Sequence, residues 1–369
     1  MLENNGSGLS IAYFISPHGF GHAARACAVI SALLENEPSI TFEIFTTVPA
    51  WFFKDSFVAS FNYHKIKTDI GLVQDSPVKE DLNKTIEALE NYIPFKQSVI
   101  DELTKKVIKA KCKLIICDIA PLGIEVSKKS GIRSLLIENF MWDWIYEGYS
   151  KYDKRIISYA EYYSNIFKKA DHHIQTEPVC LFTEADIVTN PVCRNPLKNK
   201  KDIRNRLKIP DEKKMILISM GGVREQYDFL EKLKKYTDMC FVIPGGSESF
   251  KIEDNLVLIP FHSDFYHPSL VASSDGVIGK AGYSTLSEAY WAGVPFMYIT
   301  RKKFCESEVL DKYIQKNMHG ISMTEEEYQK GEWVSKIQKL VELPTIKRKG
   351  TNGAYQIAEF ITNLLQKNK

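Results

Sequence analysis

Residues 275–295 read DGVIGKAGYSTLSEAYWAGVP, and their order lays out a buried strand, a glycine turn, a helix start and a second turn. DGVIG is a short apolar run of strand length bounded by turn formers. Lys280 then stands on a loop, Gly282 removes side-chain bulk, and Ser284 and Thr285 open a helix that carries Glu288 near its first turn. Backbone amides at a helix start, two hydroxyls and the positive end of the helix dipole suit a phosphate. Glu288 is placed to accept two hydrogen bonds from ribose hydroxyls. A capping box of Ser284 or Thr285 with the following acid would account for the hydroxyls and the glutamate. It would not account for Lys280, Gly282 and the AGVP turn together.

The same alternation of apolar runs and amphipathic stretches extends in both directions, the pattern of βα repeats around parallel sheets. Around the opening stretch the strand candidates are 214–222, 239–246, 255–261 and 294–300, with helices near 224–236, 283–292, 305–317 and 332–342. In the first half the strands are placed at 9–16, 40–47, 61–67, 113–118, 133–139 and 172–176. Helices there run over 21–35, 81–110 with a break at Pro94, 121–130 and 149–169. Proline lacks the amide hydrogen a helix interior needs. Between them TNPVCRNPLKNKKDIRNRLKIPDE, residues 189–212, has the composition of a connector followed by a short basic helix. The chain is therefore read as α/β, two Rossmann-like doubly wound parallel-sheet domains over 1–193 and 194–351. A helix at 352–367 has apolar residues at 354, 357, 358, 361, 364 and 365, a stripe expected to pack back on the first domain. Sheets of this kind take ligands at the carboxyl ends of their strands, here in a central cleft.

Three more strand-to-helix turns carry candidate chemistry. SPHGFGHAAR, residues 16–25, follows the first strand. Gly19 and Gly21 let the backbone turn tightly, and His22 sits where an imidazole serves as general base. The match to G-x-G-x-x-G is partial, since Ala24 holds the third glycine position. His18 and His22 as plain helix caps is the alternative. Asp118 ends KLIICD, just before Pro121. It suits either an orienting partner for His22 or an N-cap. In ISMGGVRE, residues 218–225, Gly221, Gly222 and the amide of Val223 suit an anion or simply a turn with positive φ.

Composition limits the rest. The 369 residues are 44% hydrophobic and 25% charged, as in folded proteins, and the formal charge of +2 argues against a nucleic-acid partner. Before residue 195 there are 21 basic and 24 acidic residues, and after it 27 and 22, which favours the second half for an anionic ligand. Seven scattered cysteines without a CxxC read as reduced thiols. With no signal-peptide pattern and no apolar run of membrane-spanning length, a cytoplasmic protein is expected. The lysines at 105, 106, 109, 111 and 113 leave peripheral membrane contact open. No D-x-D, HExxH or Cys/His cluster suggests a metal. His172 and His173 are adjacent and point to opposite faces of a strand, a poor chelate.

Taken together, GKAGYSTLSEAYWAGVP and GFGHAAR resemble the GT-B glycosyltransferases, the group holding the UDP-glycosyltransferases and the cell-wall N-acetylglucosaminyltransferase. The opening is also similar to the N-terminal module of plant arabinokinases. The likeness in order and spacing runs from Ser16 to about Gly320. It implies His22 as catalytic base and Asp118 as its partner. It implies that Gly19, Gly21, Gly221, Gly222 and Val223 lie near the donor nucleotide, that Phe261 and His262 face its base, that Lys280, Gly282, Ser284 and Thr285 bind phosphate, and that Glu288 holds ribose. Where relatives place Asp-Gln or Gln-Gln on the donor sugar, this chain reads KKFCESEVL at 302–310, with Glu306 the nearest acid. Arg25 stands near the cleft as an acceptor or phosphate contact or as a surface arginine. Phe140 and Trp142 fall where the acceptor pocket is built, or in the core. The expected activity is inverting, metal-independent transfer from a UDP-type nucleotide sugar to an unidentified acceptor, with no cofactor beyond that co-substrate. The alternatives are an enzyme like the non-hydrolysing UDP-sugar 2-epimerase and a non-catalytic nucleotide-sugar-binding module.

Overall fold

The computed structural model describes residues 9–76, 79–221 and 229–366. The chain divides into two compact units. One comprises residues up to 73, 81–192 and the chain from 351 onward; the other comprises 74–80 and 193–350.

In chain order the first strands are β1 (Ser10–Ile15), β2 (Thr41–Thr46), β3 (Phe61–Lys65), the short antiparallel pair β4 (Gln74–Ser76) and β5 (Lys79–Glu80), β6 (Cys112–Asp118), β7 (Ser134–Glu138), β8 (His172–Thr176) and β9 (Ile187–Thr189). Seven of them form a sheet in the order β3-β2-β1-β6-β7-β8-β9, every neighbour parallel. A parallel sheet covered on both faces needs strands that are apolar throughout, and β1, SIAYFI, is buried at all six positions. The helix Gly21–Asn36 follows it, and its run of small residues, Ala23, Ala24, Ala26 and Ala28, lets it bury deeply. The C-terminal helix Gly353–Gln366 packs on this helix, burying Ala354, Ile357, Ala358 and Ile361. The break at Pro94 falls between helices Leu82–Tyr92 and Gln97–Lys109. The helix expected at 149–169 is shorter, a 3-10 turn Lys154–Ile156 running into Ile157–Phe167, and a further helix that was not expected, Trp142–Tyr149, precedes it. The aromatic run after β7 is itself helical, with Trp142, Tyr146 and Tyr149 on its buried side.

The second unit repeats the plan with β10 (Lys214–Ser219), β11 (Met239–Pro244), β12 (Lys251–Glu253), β13 (Leu256–Ile259), β14 (Gly276–Lys280), β15 (Phe296–Ile299) and β16 (Gly320–Met323). Their order is β12-β13-β11-β10-β14-β15-β16, parallel except for the edge pair β12–β13. Period-2 alternation sends Leu217, Val242 and Val277 into the core on one face and Ile216, Phe241 and Ile278 into the core on the other. Strands β9, β12 and β16, missing from the sequence-based expectation, are three or four residues long and sit at or next to sheet edges.

Each sheet reverses its strand order at one place, between β1 and β6 in the first unit and between β10 and β14 in the second. The carboxyl ends of such a pair diverge and leave room for a ligand. His22, Asp118, Ser219 and Lys280 all follow or end these four strands. At the second switch point Gly279 is obligatory, since a Cβ there would lie 2.1 Å from the carbonyl oxygen of Ser219.

Candidate functional site

In the first unit the loop after β1 carries Gly19 at φ +68°, with open space where a Cβ would be. Gly21 begins the following helix, which places His22 in its first turn. His22 is 7% exposed, and its Nδ1 lies 2.8 Å from Oδ1 of Asp118, the fully buried last residue of β6. Burial alone would raise the Asp118 carboxyl. The Arg25 guanidinium and the hydrogen bonds from Arg25 and His22 outweigh that and hold it below its ordinary value. With Asp118 ionised, Nδ1 of His22 carries the hydrogen and donates it, and Nε2 is the nitrogen left to take a proton. Nε2 makes no hydrogen bond among the described residues. Phe140 and Trp142 pack around the imidazole with ring centroids at 5.8 and 6.4 Å. The residue after Asp118, Ile119, has φ +43°, a strained conformation for a β-branched side chain.

Two expectations are corrected here. Asp118 is not an N-cap: the next helix, Pro121–Ser130, starts from Ala120. Arg25 is neither a surface group nor an acceptor contact. It is 1% exposed, with Nε 2.8 Å and Nη2 2.6 Å from the two Asp118 oxygens and Nη1 2.8 Å from Oδ1 of Asn139 and 3.4 Å from Oγ1 of Thr176. Trp142 and Phe140 are also inside, at 0% and 4% exposure, so they form the wall behind His22 and present no face to stack on a ligand.

Another acid lies in the same wall. Asp69 is fully buried, accepts a hydrogen bond from Ser16 at 3.1 Å and interacts with Trp142. Burial drives its carboxyl up to about 8 against those two donors. Sequence reasoning passed over Asp69, Asn139 and Thr176. Asn139 and Thr176 had a usable signal, a polar residue at or just past the carboxyl end of a buried strand; Asp69 lies in an irregular segment and had none.

In the second unit Gly221 has φ +78° and open space at its Cβ position, while Gly222 and Val223 lie outside the described residues. The helix Tyr283–Ala292 starts from Gly282 with no side-chain cap, so Ser284 and Thr285 lie inside its first turn and the capping-box alternative is set aside. Its first-turn amides and the positive end of its dipole are of the kind that favours an anion. Lys280 ends β14 beside it, and burial together with the neighbouring Arg301 charge pushes its ammonium down to about 7, with Glu306 opposing. Glu306 is 4% exposed and 3.9 Å from Nη2 of Arg301. Phe261 is half-buried beyond the end of β13 and His262 is exposed.

Glu288 is buried and already paired. Its Oε1 accepts from Nε and Nη2 of Arg194 at 3.3 and 3.0 Å, and its Oε2 lies 2.6 Å from Nδ1 of His267. Burial would raise this carboxyl, but Arg194 and His267 hold it below its ordinary value. His267 in turn meets Oγ of Ser219, the last residue of β10, at 2.9 Å. Arg194, His267 and Ser219 were not singled out in the sequence. His267 directly precedes a proline that opens a helix, but nothing local marks its long-range partner. Among the described residues no group of three or more His, Cys, Asp or Glu is placed to hold a metal, and no helix is long and apolar enough to cross a membrane.

No family model matches the chain. It is 26% identical over 367 residues to L-arabinokinase from Arabidopsis thaliana, covering 97% of this chain and 34% of that protein. Over 154 residues it is 32% identical to the UDP-N-acetylglucosamine–N-acetylmuramyl-(pentapeptide) pyrophosphoryl-undecaprenol N-acetylglucosamine transferase of Clostridioides difficile, covering 37% of each. The chain thus spans about a third of the length of the curated relatives it matches. Among solved structures, a UDP-glucosyltransferase from Polygonum tinctorium superposes with a TM-score of 0.63 at 12% identity, covering 98% of this chain and 99% of the other. The chain has the α/β fold of the GT-B glycosyltransferases.

Proposed function

We propose that this chain is a glycosyltransferase that moves a sugar from a UDP-type nucleotide sugar to an acceptor hydroxyl or amine, inverting the anomeric carbon and using no metal ion. The observation that carries the reading is the 2.8 Å His22–Asp118 pair at the β1/β6 switch point, with Nε2 of His22 left to receive a proton. The names of the Clostridioides and Polygonum proteins support the donor class. As the acceptor oxygen forms its bond to the anomeric carbon, its proton passes to Nε2. The bond from that carbon to the diphosphate oxygen breaks, and the electron pair leaves with the nucleotide. Asp118 stays ionised throughout and stabilises the imidazolium. In the second unit Lys280 and the opening amides of the Tyr283 helix would offset the charge gathering on the diphosphate.

One observation favours a second reading, a non-catalytic nucleotide-sugar module: Glu306, where relatives hold the donor sugar, is buried beside Arg301. Thermal-shift screening against nucleotide sugars tests the donor, because a ligand that binds only the folded state raises its apparent stability. UDP sugars giving no shift while other nucleotides do would overturn the assignment. Replacing His22 with alanine separates the two readings, since a transferase keeps donor binding and loses turnover.

A further inference from the structure

The exposed cations of the first unit gather at one end of its sheet. Three helices, Gln97–Lys109, Pro121–Ser130 and Ile157–Phe167, run in turn into the parallel neighbours β6, β7 and β8. Their helix-to-strand turns therefore lie side by side at the amino ends of these strands, which are about 5 Å apart. Lys105, Lys109, Lys111, Lys113, Arg133 and Lys168 are exposed in and around these turns and make no ion pair among the described residues. The other lysines there are matched by acids, Lys106 by Glu102, Lys128 by Asp171, Lys129 by Asp101 and Lys169 by Glu125. Before residue 195 acidic residues outnumber basic ones by 24 to 21, so the six unmatched cations are a local concentration and not a reflection of composition. The helix leading to β2 ends instead with exposed Glu35 and Glu37, and the positive charge stops there. Ile108 stands among the lysines, one turn from Lys105 and next to Lys109, and is 54% exposed. Its helix already buries Ile100, Leu103 and Val107 on the other face.

We propose that this end of the first unit docks on an anionic lipid surface, with the six cations against the headgroups and Ile108 at the boundary with the acyl chains. Charge alone would suit a nucleic acid equally well. Five of the six cations are lysines, however, which lack the planar fork that reads phosphates and base edges. No exposed aromatic ring stands among them, within the described residues, to stack on a base. An exposed isoleucine gains nothing from a phosphate backbone, whereas a lipid interface removes it from water. Strand β6 has seven residues, so its amino end lies about 20 Å from Asp118 at its carboxyl end. Docking there leaves the His22 end of the unit clear, and the proposal stands independently of the sugar-transfer reading.

The test sediments the full chain with vesicles of phosphatidylcholine, alone or with about one third phosphatidylserine. Binding should require phosphatidylserine at about 0.1 M salt and fall steeply at about 0.5 M, where the screening length is less than half as long. Each cation near such a surface is worth about fivefold in affinity. K105E/K109E/K113E should therefore weaken vesicle binding by about a hundredfold or more. K201E/K316E/K339E makes the same change of charge on exposed lysines of the second unit and should stay within a few fold of the wild type. I108D should weaken binding by about tenfold, the scale of one apolar side chain returned to water. An RNA oligonucleotide and inorganic polyphosphate serve as the other polyanions. Each should bind more weakly than the vesicles, and I108D should not alter what binding they show. All the substituted residues are exposed, and thermal unfolding checks that every variant folds. Vesicle binding that is absent, indifferent to phosphatidylserine, or weakened equally by the two triple variants overturns the proposal. So does tighter binding to RNA or polyphosphate than to vesicles, or an I108D variant that binds vesicles as the wild type does.

Discussion

Asp118 in the first unit and Glu288 in the second are built alike. Each is buried, each is held ionised by an arginine, and each accepts a hydrogen bond from Nδ1 of a histidine, at 2.8 Å from His22 and 2.6 Å from His267. The difference lies one atom further on. Nε2 of His22 has no partner among the described residues, whereas Nε2 of His267 is tied to Ser219. The same three residue types therefore leave Nε2 without a hydrogen bond among the described residues in one unit and anchor it in the other, and the fourth partner makes the difference. The arginines differ too: Arg25 spans both oxygens of Asp118, while Arg194 engages only one oxygen of Glu288. Each carboxylate nonetheless accepts three hydrogen bonds from protein, two on one oxygen and one on the other.

The largest effect expected from this contrast is kinetic. His22→Ala should lower kcat by about 10²–10⁴-fold, the usual worth of a general base, with donor binding unchanged. His267→Ala should do the reverse, raising the donor KM with kcat within a few fold. Steady-state kinetics on both variants checks this, and equal kcat losses would erase the distinction between base and brace.

Next come the arginines. Removing one partner of a buried ion pair strands the other, at a cost of about 3–5 kcal/mol. Arg25→Met and Arg194→Met should each lose stability on that scale in urea unfolding, Arg25→Met the more because Asn139 and Thr176 also lose a donor. Both carboxyls have folded values below their unfolded ones. Their contribution is therefore fully present above the unfolded value of about 4 and disappears as pH falls through the folded value. The gap between wild type and either variant should narrow on acidification below about pH 4. A gap that stays constant from pH 7 to 3 would show that the guanidinium does not act through the carboxylate.

How far these groups were legible in the sequence follows from how local their partners are. The strands of both sheets could be read because parallel β-structure demands apolar runs, and GKAGYSTLSE could be read because turn, helix start and acid fall within ten residues. His22 and Asp118, 96 residues apart, were linked by their places in strand-to-helix turns, but the sequence left an N-cap equally open for Asp118 and only the resemblance chose between the two. Arg25 was misplaced because helical periodicity cannot distinguish a charged residue facing water from one facing a buried carboxylate. Arg194 and His267 went unnoticed because each lies in a connector or turn and takes its meaning from a glutamate 94 and 21 residues away.

Lys280 sharpens the contrast from the cationic side. Its ammonium, pushed down to about 7, is half neutral near physiological pH, and a bound diphosphate would restore its charge. UDP should therefore bind best below pH 7 and weaken as the lysine deprotonates above it. Lys280→Met should cost about 2 kcal/mol of UDP affinity at pH 6, on the scale of a charge-assisted hydrogen bond, and less at pH 8.5. Calorimetry at the two pH values checks this; a variant whose deficit is the same at both would show that Lys280 does not gain a proton on binding.

The last contrast is Asp69, a buried acid in the first unit without the arginine that Asp118 and Glu288 have. Its folded value, about 8, lies above its unfolded one, the opposite of Asp118 and Glu288. Between about pH 4 and 8 the folded chain holds a proton that the unfolded chain has released. Stability therefore falls as pH rises through this window, by at most about 1.4 kcal/mol per pH unit from this residue. Asp69→Asn keeps the shape of the protonated acid and its contact with Ser16 but cannot ionise. Its stability relative to wild type should rise steadily from pH 5 to pH 8 in urea titrations. A flat difference would mean that Asp69 is ionised in the fold, and that Ser16 and Trp142 suffice to hold a buried carboxylate without the arginine that Asp118 and Glu288 require.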